Sequence, residues 1–170
     1  IRLQDLPSIK HDFTAITQQP ISVLQSPLGM MYFQQYVERK CYTAGGGKLV
    51  APAQRMIDFV QQKKSGDLPD CSYLPGIASA NLTSVLPPFV SKTLREGFSA
   101  FGKKMVGYYT NDAVLVATES RTSSPVRIPR NADTHEHPHI KNLFPCAEGA
   151  GYAGGIVSAA MDGENTVQRI

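Results

Sequence analysis

The 170 residues predict a mixed α/β fold, in which helices and strands both contribute (α+β). Three observations carry that expectation. Val90, Leu94, Gly97, Phe98, Phe101 and Met105 recur at helical spacing and draw one apolar stripe. The run AVLVAT at 113–118 has the composition of a buried strand. Leu143-Phe144 leads into Gly149, Gly151, Gly154 and Gly155, then into Ile156, Ala159, Ala160, Gly163 and Val167 at spacings of three and four. That order reads as a strand, a glycine turn and a helix.

The remaining elements follow from local signals. Residues 1–27 are mixed, with Pro7, Pro20 and Pro27 interrupting any long element. Residues 28–39 predict a short helix with Met30, Phe33 and Val37 on one face. Ala44 and the three glycines after it make a loop. Residues 50–64 predict a second helix: Pro52 suits a first turn, and Ala53, Met56, Ile57 and Val60 repeat at three and four. Lys63 and Lys64 complement its C-terminal dipole, and Ser65-Gly66 stops it. A polar loop follows over 67–81. Ser84 is a candidate cap for the striped helix, and Pro87 and Pro88 fit only its first turn. A further strand is expected at 126–129, joined to 113–118 by a turn rich in hydroxyls.

Composition narrows the function. Seventeen basic against 14 acidic residues give a net charge of +3, and no basic block stands out, which argues against nucleic acid. No apolar run is long enough to span a membrane. Cys41, Cys71 and Cys146 are an odd number without metal spacing, as suits a reducing cytoplasm. The chain starts at Ile1 in what reads as mid-protein sequence.

The glycine loop carries the strongest chemical signal. Glycine lets a backbone approach a ligand closely, and the N–H groups of a first helical turn point at negative charge. Gly149, Gly151 and Gly154 satisfy G-x-G-x-x-G, yet this is no opening βαβ unit. That unit needs a second parallel strand and an acidic residue about 20 positions on; position 169 is arginine and the sequence ends at Ile170. The motif therefore reads as a final β–α unit.

Other clusters are weaker. Glu119, Arg121, Arg127 and Arg130 with Thr122, Ser123 and Ser124 suit binding of carboxylate or phosphate, or equally a structural salt bridge and turn. Gly45-Gly46-Gly47-Lys48 fails as a phosphate loop, because Tyr42 and Leu49 stand where glycine and a hydroxyl are required. His135, His137 and His139 alternate, but Pro138 interrupts them and the spacing is not that of structural zinc; a solvated linker and no metal site is the expectation. Cys146 reads as a packing residue, and the sequon at Asn81 carries no weight in a cytoplasmic protein.

The segment Pro145-Cys146-Ala147-Glu148-Gly149-Ala150-Gly151-Tyr152-Ala153-Gly154-Gly155-Ile156 resembles the C-terminal signature of a family of bacterial FAD-dependent proteins described as predicted NAD-utilising dehydrogenases. The likeness extends through Ala44-Gly45-Gly46-Gly47, Ala51-Pro52-Ala53-Gln54-Arg55, Cys71-Ser72-Tyr73-Leu74-Pro75-Gly76 and the stretch from Glu119-Ser120-Arg121 to Val126-Arg127-Ile128. It covers most of the chain from about residue 40 onward.

The resemblance implies the C-terminal portion of an FAD-dependent oxidoreductase. A helical and strand substrate-side domain would occupy 1–140, followed over 141–170 by the last strand and helix of the flavoprotein FAD-binding fold. Glu148, Gly149, Ala150, Gly151, Tyr152, Ala153, Gly154 and Gly155 would line the flavin, with Arg121 and Arg127 as substrate candidates. The cofactor would be FAD, NAD(P)H a possible electron donor, and the partner the N-terminal FAD-binding region of the parent. These residues alone would hold FAD weakly or not at all. Ala147 departs from the family pattern, which has glycine there; if the position takes a positive φ, its methyl costs roughly 1 kcal/mol. The alternative is a non-catalytic interaction module that self-associates through exposed apolar surface.

Overall fold

The computed structural model describes residues 9–170, so the expectation at Pro7 lies outside the described residues. The fold is mixed α/β, and the chain divides into two units. The first takes the described residues up to Leu24 with Gln35–Thr118; the second takes Gln25–Gln34 with Glu119–Ile170.

The first unit is built on a small sheet. It opens with α1 (Lys10–Thr17) and a short 3-10 turn at Ile21–Gln25 that ends in the second unit. The next helix, α2 (Gly29–Ala44), has its residues up to Gln34 in the second unit and the rest in the first; it is longer than the sequence predicts because its apolar face continues. Phe33, Tyr36, Val37 and Cys41 are all buried at spacings of three and four, while Met30 is half-buried. Phe13 of α1 meets Tyr36 with ring centroids 5.7 Å apart. Beside them the Tyr36 hydroxyl and the Lys40 ammonium both donate to the Asp12 carboxylate, at 2.6 and 3.1 Å. Desolvation works against the charge on Asp12, but those bonds hold its carboxyl below the usual carboxylate range. Just past α2, position 45 requires glycine, because a Cβ there would lie 1.9 Å from the Val50 carbonyl oxygen.

Where one helix was expected over 50–64, the chain forms β1 (Ala51–Arg55) and a short α3 (Met56–Val60). Strand β1 is central, parallel to β2 (Ile77–Ser79) and antiparallel to β3 (Val114–Val116). Pro52 is tolerated there for a specific reason. Its carbonyl accepts from the Ala117 N–H, and its missing donor falls beyond the last antiparallel pair, Ala53 with Val116. The periodic apolar residues of this segment therefore belong to two elements, not one face. Strand β2 corrects the expected continuous loop at 67–81; three residues among prolines and polar groups carry too little pattern to be seen. Strand β3 lies where predicted but at the sheet edge, so Val116 is exposed and not core.

Gln54 explains how so small a sheet fixes its surroundings. The side chain is fully buried, donates to the Lys63 carbonyl and accepts the Leu82 N–H, so both of its polar ends are satisfied. Leu82 opens α4 (Leu82–Val85), capped by the Asn81 side chain. Ser84 lies inside α4, donates back to the Asn81 carbonyl and does not cap the striped helix, which follows Pro87 with no side-chain cap. Then α5 (Pro88–Lys104) starts with Pro88 in its first turn, as predicted. Its stripe is only partly covered: Phe98 meets Phe59 of α3 edge-on at 6.1 Å, whereas Leu94, Phe101 and Met105 are exposed.

The second unit contains no strand among the described residues. Neither 126–129 nor 143–144 forms the expected strand. Single bonds stand in for ladders: the Ile128 N–H donates to the Ala150 carbonyl, and the His137 N–H to that of Leu143. Pro125, Pro129, Pro138 and Pro145 remove donors along the whole stretch. The terminal helix α6 (Ile156–Val167) forms as predicted. No helix among the described residues is long and apolar enough to cross a membrane.

Candidate functional site

The glycine corner of the second unit is held by backbone geometry. Ala147 adopts φ +58 and Gly151 φ +83. The Ala147 N–H donates to the Asp162 carboxylate at 2.7 Å, and its carbonyl accepts from the Tyr152 N–H at 3.0 Å. A Cβ at Gly151 would sit 2.7 Å from the Val126 carbonyl oxygen and 3.1 Å from the Arg127 Cα. Gly151 thus serves close packing of chain on chain. Gly149 faces open space, and Gly154 lies beside the Ser123 hydroxyl at ordinary contact distance. Ala150 is buried and Ala153 half-buried.

Gly155 caps α6. The Ser158 hydroxyl accepts from the Gly155 N–H at 3.1 Å and donates to its carbonyl at 2.9 Å. The next amides, on Ile156 and Val157, have no hydrogen-bond partner among the described residues. Both residues are largely exposed, so these donors and the positive end of the helix dipole face outward.

Behind the corner lies a polar core. Arg130 makes a two-pronged ion pair with Asp162 at 2.7 and 2.9 Å, and also donates to the Pro145 carbonyl. The guanidinium groups of Arg130 and Arg127 lie 3.7 and 4.1 Å from the centre of the Tyr152 ring, whose hydroxyl donates to the Ile128 carbonyl. The Arg130 hydrogen bond is the main reason that the Asp162 carboxyl is pulled down to about 2. His135 Nδ1 lies 2.8 Å from the Thr166 hydroxyl oxygen, and that hydroxyl donates to the Asp162 carbonyl. The Thr166 oxygen then accepts, which requires the proton on His135 Nδ1. Burial, with Arg130 and Arg169 nearby, pushes His135 below its ordinary value.

A hollow of about 380 Å³ opens in this unit, lined by Gln34, Arg121, Ser123, Ser124, Glu148 and Gly149, with Pro125. Its size is at the lower end for small-molecule sites. The Gln34 amide donates to the Ser120 carbonyl, and the Ser124 hydroxyl to that of Val126. Of the residues singled out in the sequence, Arg121, Ser123, Ser124, Glu148 and Gly149 come together here, with Gly154 adjoining through Ser123. Arg127 goes elsewhere, against Tyr152, and Gly151 and Tyr152 are engaged in packing.

His137 and His139 meet edge-on with ring centroids 6.0 Å apart, but His135 is turned to Thr166. Among the described residues no group of three His, Cys, Asp or Glu is placed to hold a metal. All three cysteines are free thiols, and burial pushes that of Cys41 up to about 11. Sequence reasoning missed Gln34, whose distance along the chain leaves no local signal. It also missed Asp162 and Thr166, which their spacing of four on α6 marks as one helical face.

The family described as "FAD-dependent protein, C-terminal domain-like" matches residues 14–122. The chain belongs to this family. It is also 42% identical over 147 residues to an uncharacterised protein of Clostridium beijerinckii (strain ATCC 51743 / NCIMB 8052). That alignment covers 85% of this chain and 27% of the relative, so the chain spans well under half of the curated protein it matches. For this member of the FAD-dependent family, the matched stretch takes in the whole sheet and ends at Thr122, before the glycine corner. Gln34 and Arg121 fall inside it; Ser123, Ser124, Glu148 and Gly149 fall beyond it.

Proposed function

We propose that this chain is a portion of an FAD-dependent oxidoreductase, and that the hollow at Arg121, Glu148 and Gly149 receives one edge of the flavin. The observation that carries the reading is the meeting of two segments singled out separately, Arg121 with Ser123 and Ser124, and Glu148 with Gly149, in one hollow. The residues suit the group. Gly149 has nothing within contact distance of a Cβ, so a flat ring can approach its backbone. Arg121 brings positive charge to the rim. Glu148 on the same rim disfavours a bare polyanion, and so favours a ring edge over a free phosphate.

When bound, FAD supplies the hydride chemistry. This chain's own part is to admit the ring at Gly149, orient it with Arg121 and Ser123, and favour the charge that builds on reduction. The electron donor in this reading is NAD(P)H.

The test uses the full-length protein. Gly149→Val should weaken FAD retention by about ten-fold, because its side chain would stand where the ring approaches the backbone. Arg121→Gln should lower the flavin midpoint potential. Unchanged FAD content and potential in both variants would refute the assignment.

A second reading, self-association, is favoured by a separate observation. Ile156, Val157, Met161 and Val167 are exposed on α6, as are Phe101, Met105 and Val106 at the end of α5. Size-exclusion profiles with and without FAD separate the two: a flavin-indifferent dimer supports the interaction module, and a flavin-binding monomer supports the enzyme.

A further inference from the structure

A second opening lies in the first unit, on the face of α5 opposite in character to its apolar stripe. It has a volume of about 500 Å³. Arg95, Glu96, Ser99, Ala100, Lys103 and Lys104 line it along the helix, and Val60 at the end of α3 closes one side. These positions repeat at intervals of four, so they form two adjacent rows on one helical face. Small side chains, Ser99 and Ala100, make the floor. Cations stand at both ends: Arg95 lies about 12 Å along the axis from Lys103, at 1.5 Å per residue.

None of these three cations has an ion-pair partner among the described residues. What sets them apart is that all three line one groove on a single helix face. Lys40, Arg55 and Arg130 each face a carboxylate. Lys103 and Lys104 complement the helix C-terminal dipole, but Arg95, two turns earlier, has no such role. Its Nε donates to the Ser91 carbonyl at 3.4 Å, which steadies the side chain and leaves its terminal nitrogens for a ligand. The Ser99 hydroxyl donates to the Arg95 carbonyl at 2.9 Å, so it is turned into the helix and keeps the floor low.

We propose that this groove binds a small phosphate-bearing anion, with the phosphate over Ser99 and Ala100 and gripped from its two ends. A guanidinium offers paired donors to phosphate oxygens, and two neighbouring ammonium groups offer point charges. Glu96 is the one acidic group in the lining, and it accepts from a hydroxyl or amine on the rest of the ligand. That combination favours a phosphate ester over bare inorganic phosphate. It does not favour nucleic acid, since the cations occupy a single helix face in a chain of net charge +3. The site is independent of the flavin reading, being confined to the other unit.

Calorimetric titration of the intact protein with inorganic pyrophosphate and with ADP tests it. Binding should weaken about ten-fold in a Lys103→Gln/Lys104→Gln variant and similarly in Arg95→Gln. A charge-matched variant, Lys10→Gln/Lys48→Gln, should bind as the parent does; all five side chains are outside the core, so folding is checked by an unchanged circular dichroism spectrum. Tighter binding of ADP identifies the ester and equal binding identifies the phosphate alone; either supports the site. Absence of binding by both probes overturns it, as does an equal loss in the charge-matched variant. The titrations are run on FAD-saturated protein, so that neither probe reports the flavin site.

Discussion

Ala147 and Gly151 show how much one backbone angle decides. Both hold positive φ, but only one is glycine. Ala147→Gly should therefore stabilise the protein by about 0.5–1 kcal/mol, read as a higher urea midpoint at unchanged slope. A lower midpoint would contradict the strain. Gly151→Ala should do the reverse and cost about 2–3 kcal/mol, because its Cβ would strike the Val126 carbonyl in addition to the torsional penalty. The family pattern marked Ala147 as an exception in the sequence, and the positive φ found there meets the condition for strain. The reason for Gly151 was not legible. Its neighbour is a carbonyl 25 positions upstream, and no local pattern announces such an approach.

At the scale of elements, periodicity was readable where it was long. Helices α5 and α6 were visible as apolar repeats, and α2 was visible but underestimated by a turn. The five residues of β1 were not, because Ala-Pro-Ala-Gln-Arg lacks the β-branched character that marks a strand. Its identity comes from two partners and from Gln54, all tertiary. Two expected strands in the second unit failed for the opposite reason: their apolar residues were present, but no partner strand supplies a ladder. What holds α6 instead is the Arg130–Asp162 pair, with side chains 9% and 16% exposed. Arg130→Gln should cost about 2–4 kcal/mol by leaving a shielded carboxylate unpaired. Chemical denaturation followed by α6 helicity would show it; a loss below about 0.5 kcal/mol, typical of exposed pairs, would rule it out.

For the whole molecule, two groups of the second unit link stability to pH. Asp162 titrates at about 2 in the fold against an ordinary 3.8, so its contribution is complete above about 4 and is lost as pH falls towards 2. His135 is also lowered, which favours its neutral form in the fold. The unfolded chain then takes up a proton first as pH drops below 6.5, and stability falls from that point downward. Thermal melts from pH 8 to pH 4 should show a decline that begins near pH 6.5 and is absent in His135→Gln; a flat profile would remove His135 from the account. Amide exchange should also divide the chain. Residues 119–155, with scattered backbone bonds and no ladder, should exchange before those of β1. One carboxylate, that of Asp162, fastens the Ala147 amide to α6 and Arg130 to both. Loop and helix are consequently tied to one another in the fold before any ligand arrives. A ligand arriving there surrenders little freedom on the protein's behalf, so its capture should run as a single quick phase with no slow ordering step after first contact.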